Sequence, residues 1–336
     1  MKTSNSSTTA EKAVYADLRN DFMFKKAFSQ KDIMIPFLND ILETDKIQDI
    51  VYRNVEQLGF DAENAKVYYD LFCQCADGKD FIVEMQCSPQ KYYRERMIFY
   101  STYPLQHQYI EAKAEYEKLP EPKRPFRFTY KLYPVYIISI TEFALLHEAG
   151  WPEDSFVSRY SVRENSTGEL YCGTLNYVFV ELPRFRKALQ QKSAGAEKWA
   201  YVFNNITKLK EVPGELSEKY FRKLFESAKI ANFTGEEQLS YIENEKMKYD
   251  YENCIEYAEE KGLEEGLAKG REEGEAKGRE EGEAKGKAEG LAEGEANKAR
   301  SVAANMLAEG LPASQIARCT GLSEAEVKAL RQAQRP

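Results

Sequence analysis

Tyr69-Asp70-Leu71-Phe72-Cys73-Gln74-Cys75-Ala76-Asp77-Gly78-Lys79-Asp80-Phe81-Ile82-Val83-Glu84-Met85-Gln86 reads as two strands joined by a tight turn. A three-residue loop of Ala76, Asp77 and Gly78, with Gly78 left-handed, is the expected connection. The facing residues then have numbers that sum to 154, and Asp70 lies opposite Glu84 with Cβ atoms about 5 Å apart. Two carboxylates opposed on a sheet repel unless a cation sits between them. Mg²⁺, a hard ion that takes carboxylate oxygens, suits that position, with the Met85 carbonyl as a further ligand. Gln86 points to the same face as Glu84 because side chains alternate along a strand. Cys73 and Cys75 share the opposite face and read as small core residues.

Working outward, Asp17 to Phe28 and Asp32 to Leu42 carry apolar residues at helical spacing and predict two helices before the sheet. Ile47 to Gln57 reads as the sheet's first strand, followed by the hairpin of Val67 to Cys75 and Phe81 to Gln86. Tyr92 to Ile110 reads as a helix that Pro104 kinks or divides. Tyr133 to Ser139 is a nearly continuous apolar run, hence a buried central strand. Ser155 to Ser161 and Leu175 to Leu182 add a strand pair. The fold class is α/β: a mixed central sheet flanked by helices over residues 13–186, after a Ser/Thr-rich segment 1–12 expected to be disordered. Residues 187–258 are expected to form an accessory helical region.

The arrangement Asp-x13-Glu-x-Gln resembles the PD-(D/E)xK nuclease motif, with Gln86 where the commonest version has Lys. Around it stand Asn20-Asp21-Phe22-Met23-Phe24-Lys25-Lys26-Ala27-Phe28, Pro36-Phe37-Leu38-Asn39-Asp40, Arg96 with Phe99-Tyr100-Ser101, and Val180-Glu181-Leu182-Pro183. In that order they are similar to the Rpn family of recombination-promoting nucleases, or transposase-like proteins. The resemblance implies a restriction-endonuclease-like core and a Mg²⁺-dependent DNA endonuclease. Asp70, Glu84 and Gln86 are then the catalytic candidates, Asp21 a further acid, and Asp70, Glu84 and Met85 the metal ligands. Arg96 and Tyr100, four residues apart on one helix, are candidates for the substrate phosphate or for holding a carboxylate. Lys25 and Lys26 are candidate backbone contacts. Asp21 reads equally as a helix cap. His107 and His147 have no partner pattern that makes them catalysts.

Composition sets limits on this reading. The six cysteines include no Cys-x-x-Cys pair and there are only two histidines, which argues against a zinc site or disulfide framework and fits a reducing cytoplasm. No apolar run is long enough to span a membrane. Residues 1–230 carry 32 Lys+Arg against 32 Asp+Glu, and residues 231–336 carry 15 against 23, so the net charge of −8 lies wholly in the C-terminal third. A neutral front region implies that DNA affinity is confined to a local cleft.

In residues 259–298 glycine recurs every fourth position from Gly262 to Gly294, between Glu, Lys, Arg and Ala. Each glycine costs a helix about 0.8–1 kcal/mol against alanine. Glu265–Lys269, Glu273–Lys277, Glu275–Arg279, Glu281–Lys285 and Glu283–Lys287 are i,i+4 pairs that return only a few tenths each. The segment is either a solvated spacer or a rod whose glycines let two copies approach. Residues 299–336 read as three short helices of a helix-turn-helix, with Ser323 and Glu326 as a capping box. Its last helix opens Glu324-Ala325-Glu326, so DNA recognition and a packing or dimerisation module stand level. The partners expected are DNA and a second copy through the C-terminal region. The alternative to an active nuclease is a weak or inactive nuclease-fold protein that binds DNA or self-assembles.

Overall fold

The computed structural model describes residues 13–43, 46–57, 67–121 and 130–333; the segment expected to be disordered, 1–12, lies outside them. It contains two compact units, Met1–Tyr249 and Asp250–Pro336. In the first unit strands β1 (Ile50–Tyr52), β4 (Leu71–Cys75), β5 (Asp80–Gln86), β6 (Val135–Thr141), β8 (Leu175–Glu181) and β7 (Val157–Ser161) form one six-stranded sheet in that spatial order. β5, β6 and β8 run parallel, and the remaining pairs are antiparallel. β2 (Glu56–Gln57) and β3 (Val67–Tyr68) pair separately.

Two expected strands are therefore broken. Ile47 to Gln57 becomes β1 and β2, and Val67 to Cys75 is interrupted at Tyr69 and Asp70. The interruption frees Asp70 from the ladder, and its backbone N–H turns to a side chain instead. The turn itself follows the expected form. Cys75 donates to the Lys79 carbonyl at 2.9 Å, Gly78 donates to the Cys75 carbonyl at 3.0 Å, and Gly78 has φ +87°. Every β4–β5 pair, such as Leu71 with Val83, sums to 154.

Helices cover both faces of the sheet. One side holds α1 (Asp21–Phe28), α2 (Lys31–Leu42), α4 (Gly195–Asn205) and α5 (Lys219–Ala228), packed against Cys73, Phe81, Val83 and Met85. Residues 187–258 were expected to form an accessory helical region, and its helices α4 and α5 lie in the same hydrophobic cluster as α1 and α2. Trp199 contacts Phe28, Phe37 and Phe221 at ring-centroid distances of 5.7, 5.3 and 4.7 Å, and its indole N–H donates to Asp40 Oδ2 at 2.9 Å. Burial of so many large aromatics binds helices distant in sequence into one layer.

α3 (Tyr93–Lys118) covers the other face, against Phe72, Ile82 and Ile137. It runs on through Pro104 instead of dividing there. Proline cannot donate to the carbonyl four residues back, and that carbonyl, of Tyr100, accepts the Tyr69 hydroxyl at 3.0 Å instead.

α6 (Gly235–Ala308) begins at a capping box in which Glu237 N donates to Thr234 Oγ1 at 3.2 Å and Thr234 N to Glu237 Oε2 at 2.9 Å. The glycine-periodic stretch belongs to this helix. A Cβ at any of its nine glycines would meet nothing within 4 Å, so no contact among the described residues requires glycine there. Its ion pairs run opposite to the expected orientation, from a cation to an acid four residues later, as in Lys269–Glu273 and Arg271–Glu275. They are exposed and in the weaker orientation, and contribute little. At the C-terminus α7 (Ala313–Thr320) and α8 (Glu324–Ala333) pack with the end of α6 around Ala303, Ile316 and Val327. The expected capping box is present: Ser323 N donates to Glu326 Oε2 at 2.9 Å, and Glu326 N to Ser323 Oγ at 3.3 Å. Among the described residues no helix is long and apolar enough to cross a membrane.

Candidate active site

The hairpin brings Asp70 and Glu84 together through their own backbones. Asp70 N donates to Glu84 Oε1 at 3.2 Å, and Met85 N donates to Asp70 Oδ2 at 2.8 Å. The N–H and C=O of a strand residue point to the same neighbour, so the Met85 carbonyl also faces the edge where Asp70 stands. Asp70 Oδ1 and Glu84 Oε2 lie outside these two bonds. Glu84 is only 2% exposed, whereas the Asp70 side chain is 18% exposed and opens to a cleft of about 640 Å³. Burial pushes both carboxyls above the ordinary range, Glu84 well above it, with the Asp70 charge as the second cause there. Buried like charges of this kind are a cost to the fold that a bound cation would remove.

The cations around the pair come from two helices. Asn20 caps α1 by accepting Met23 N at 3.2 Å, and its amide donates to Glu245 Oε1 of α6 at 2.8 Å. With Met23, Phe24, Ala27 and Phe28 buried, Asp21 and Lys25 are left facing the cleft. Lys25 Nζ lies 2.6 Å from Asp21 Oδ1 and 3.6 Å from Asp70 Oδ1. Asp21 is therefore not the cap; it occupies the first helical turn and holds Lys25. Lys26 is turned to α6, with Nζ 2.7 Å from Glu237 Oε1 and 4.1 Å from the Phe233 ring centroid.

On α3, the Arg96 guanidinium sits 5.2 and 5.4 Å from the ring centroids of Tyr93 and Tyr100. It hydrogen-bonds Gln90, its Nε is buried without a partner, and its charge holds down the Glu84 carboxyl in part. Gln86 lies two residues beyond Glu84 on the same face, in register with Thr141 of β6, and its carbonyl accepts Glu142 N at 2.9 Å.

Several neighbours gave no signal in the sequence. Ser139, in register with Glu84, is fully buried and hydrogen-bonds Tyr93. Ser240 and Asn244 of α6 form one wall of the cleft. That wall is fastened by Lys248, whose Nζ lies 3.0 Å from Glu142 Oε2, while Arg19 Nη1 holds Glu142 Oε1 at 2.6 Å. Only the i,i+4 spacing of Ser240, Asn244 and Lys248 hints at a shared face, and polar i,i+4 residues are common on any helix.

Neither histidine joins the site. His107 pairs with Glu111 at 3.6 Å on the surface of α3, and His147 is stacked on Trp151 with Nε2 2.6 Å from Glu181 Oε1. A separate cavity of about 280 Å³ lies toward the turn end of the hairpin beside Asp80, whose carboxylate oxygens already accept Gln74 at 2.9 Å and Gln108 at 2.7 Å.

A mixed sheet that carries Asp-x13-Glu-x-Gln, with Asp70 opening to a helix-walled cleft, is the arrangement of the PD-(D/E)XK class. The family described as "PD-(D/E)XK nuclease family transposase" matches residues 18–258, and the chain belongs to it. Residues 296–332 match the C-terminal helix-turn-helix domain of the Rpn/YhgA-like nuclease family. No curated protein and no solved structure matches the chain significantly.

Nucleases of this superfamily generally use divalent metals. Among the described residues no three Asp, Glu, His or Cys side chains gather tightly enough to hold an ion by side chains alone. Two carboxylates and a carbonyl still suit a hard cation that completes its shell with water and substrate oxygens. The donor set fits on that basis.

Proposed function

We propose that this protein is a cytoplasmic, Mg²⁺-dependent DNA endonuclease whose cuts promote recombination or transposition-like events. The observation that carries this reading is the pair of carboxylates brought together by the hairpin, Glu84 buried and Asp70 opening to a cleft that Lys25 lines, with the Arg96 charge acting on Glu84. Asp70, Glu84 and the Met85 carbonyl would hold the ion, which when bound activates water and stabilises the departing oxygen. Arg96, clamped between two tyrosine rings, binds a phosphate oxygen through its planar fork, and Tyr100 keeps the guanidinium in place. Gln86 has no basic group and orients water through its amide. Asp21 holds Lys25 in the cleft, and Lys26 supports the α6 wall. The decisive experiment is incubation of the purified protein with supercoiled plasmid, with and without Mg²⁺. Nicked or linear product that depends on Mg²⁺ is expected, and none at any protein concentration overturns the reading.

The C-terminal unit supports pairing of two copies. Among the described residues its core holds Ala303, Ile316 and Val327 fully buried, little apolar burial for a robust domain. The helix-turn-helix match also suits DNA contact. A homodimer through residues 260–336 would bring two single-cut sites to one duplex.

A further inference from the structure

We propose that Lys25 of α1 supplies the ammonium that the commonest form of the motif carries at the position of Gln86, so that the catalytic lysine of this chain comes from a helix and not from the active-site strand. The inference rests on the nuclease reading and assigns one of its groups. Gln86 is neutral and cannot meet the charge that builds on a phosphate under attack. The surroundings supply few replacements. Arg96 is held on the Glu84 side by Gln90 and two tyrosine rings and already serves one phosphate oxygen there, while Lys26 is committed to Glu237 and Lys248 to Glu142.

Lys25 is placed differently. The rotation of α1 is fixed by its buried residues and by the Asn20 cap anchored to α6, so the Lys25 stem enters the cleft by construction. Asp21 grips the ammonium at 2.6 Å, while Asp70 Oδ1 stands 3.6 Å away, at the outer limit of an ion pair. The ammonium is thus held beside the proposed ligand without closing on it, and the side chain is 43% exposed toward the cleft. An ammonium has three donors; Asp21 holds one closely, and the side turned to Asp70, whose Oδ1 at 3.6 Å is the looser partner, can serve a phosphate oxygen and the attacking water.

In the hydrolysis itself, the water oxygen forms a new bond to phosphorus as the bond from phosphorus to the leaving sugar oxygen breaks. One proton passes from the water to solvent, and the leaving oxygen takes one proton from solvent. Lys25 stays an ammonium throughout. It binds the non-bridging oxygen on which charge accumulates and holds the water in line, a contribution of the kind that costs about 10²–10³-fold in rate when one such donor is removed.

The test compares the full-length wild type, Lys25→Met, Lys25→Arg and Lys25→Met/Gln86→Lys for plasmid cleavage, thermal melting and Mn²⁺ binding by isothermal titration. Lys25→Met should melt like wild type, bind Mn²⁺ at least as tightly because a competing cation is gone, and lose about a hundredfold in kcat with little change in KM. Lys25→Arg, which keeps the charge, should lose less. Restoring lysine at position 86 should recover at least tenfold of the lost rate. An active wild type with a Lys25→Met variant within threefold of it overturns this assignment alone, as does a double variant no faster than Lys25→Met. A wild type that binds Mn²⁺ but cuts nothing overturns the nuclease reading and this assignment with it.

Discussion

Gly78 sets the register that opposes Asp70 to Glu84, and replacing it tests how firmly the site depends on one turn. Its φ of +87° lies in the left-handed region, and a Cβ placed on it would stand 2.7 Å from both Cγ and Cδ1 of Tyr133. Gly78→Ala therefore meets two costs. The left-handed conformation takes about 1–2 kcal/mol from a residue with a Cβ. Displacing the Tyr133 ring, whose backbone N–H is tied to Gln108 Oε1 at 2.9 Å, adds roughly 1–3 kcal/mol by overpacking. The sum, about 2–5 kcal/mol, should lower the melting temperature by roughly 5–15 °C in a unit of this size.

A double-mutant cycle separates the two terms. In a Tyr133→Ala background the ring atoms are gone, and Gly78→Ala should cost only the conformational ~1–2 kcal/mol. Slipping the hairpin by one residue is not an escape, because it would turn Phe81, Val83 and Met85 away from the core. The folded Gly78→Ala protein should accordingly bind Mn²⁺ within threefold of wild type. Melting curves followed by circular dichroism, with isothermal titration of Mn²⁺, read out both quantities. A Gly78→Ala protein as stable as wild type would refute the account of the turn, and a folded variant without Mn²⁺ binding would refute the claim that the core holds the register.

Asp70→Asn and Glu84→Ala should each abolish Mg²⁺-dependent nicking in folded protein; Asp70→Asn keeps an acceptor for Met85 N, and Ca²⁺ should bind the wild type without supporting cleavage. Because the folded Glu84 carboxyl is held well above its ordinary 4.5, metal-free protein loses stability as pH rises from that value upward. Glu84→Gln should therefore melt higher than wild type at neutral pH without metal and show a smaller loss as pH rises, and melting curves equal to wild type from pH 4 to 8 would contradict the buried-charge account. Truncation after residue 250 should preserve cleavage, since α6 up to Lys248 completes the cleft wall and the remainder carries most of the surplus acid. Full-length protein should sediment as a dimer and the truncated form as a monomer that nicks but makes double-strand breaks poorly; a full-length monomer at tens of micromolar, where even weak pairing is visible, rules this out.

Local rules made the hairpin legible: a turn glycine, period-two alternation and two carboxylates whose positions follow from one loop length. The register is a one-dimensional quantity, and the sequence carries it directly. The cations were harder to place, because their positions depend on how helices far apart in sequence lie against the sheet. Lys25 and Lys26 look alike as neighbours in one helix. Their opposite roles come from Glu237 and Phe233, more than 200 positions away, which draw Lys26 to α6 and leave Lys25 beside Asp70. The same holds for α4 and α5. Their apolar spacing announces helices, yet only the contacts of Trp199 with Phe28 and Phe37 make them part of the nuclease core. An i,i+4 pattern gives a face and not the partner of that face. Pro104 shows the converse. Read alone it divides a helix, but the carbonyl it leaves unpaired is claimed by the Tyr69 hydroxyl, one residue before the Asp70 carboxylate, so the proline that would have broken α3 instead ties it to the strand break where the candidate catalytic acid stands.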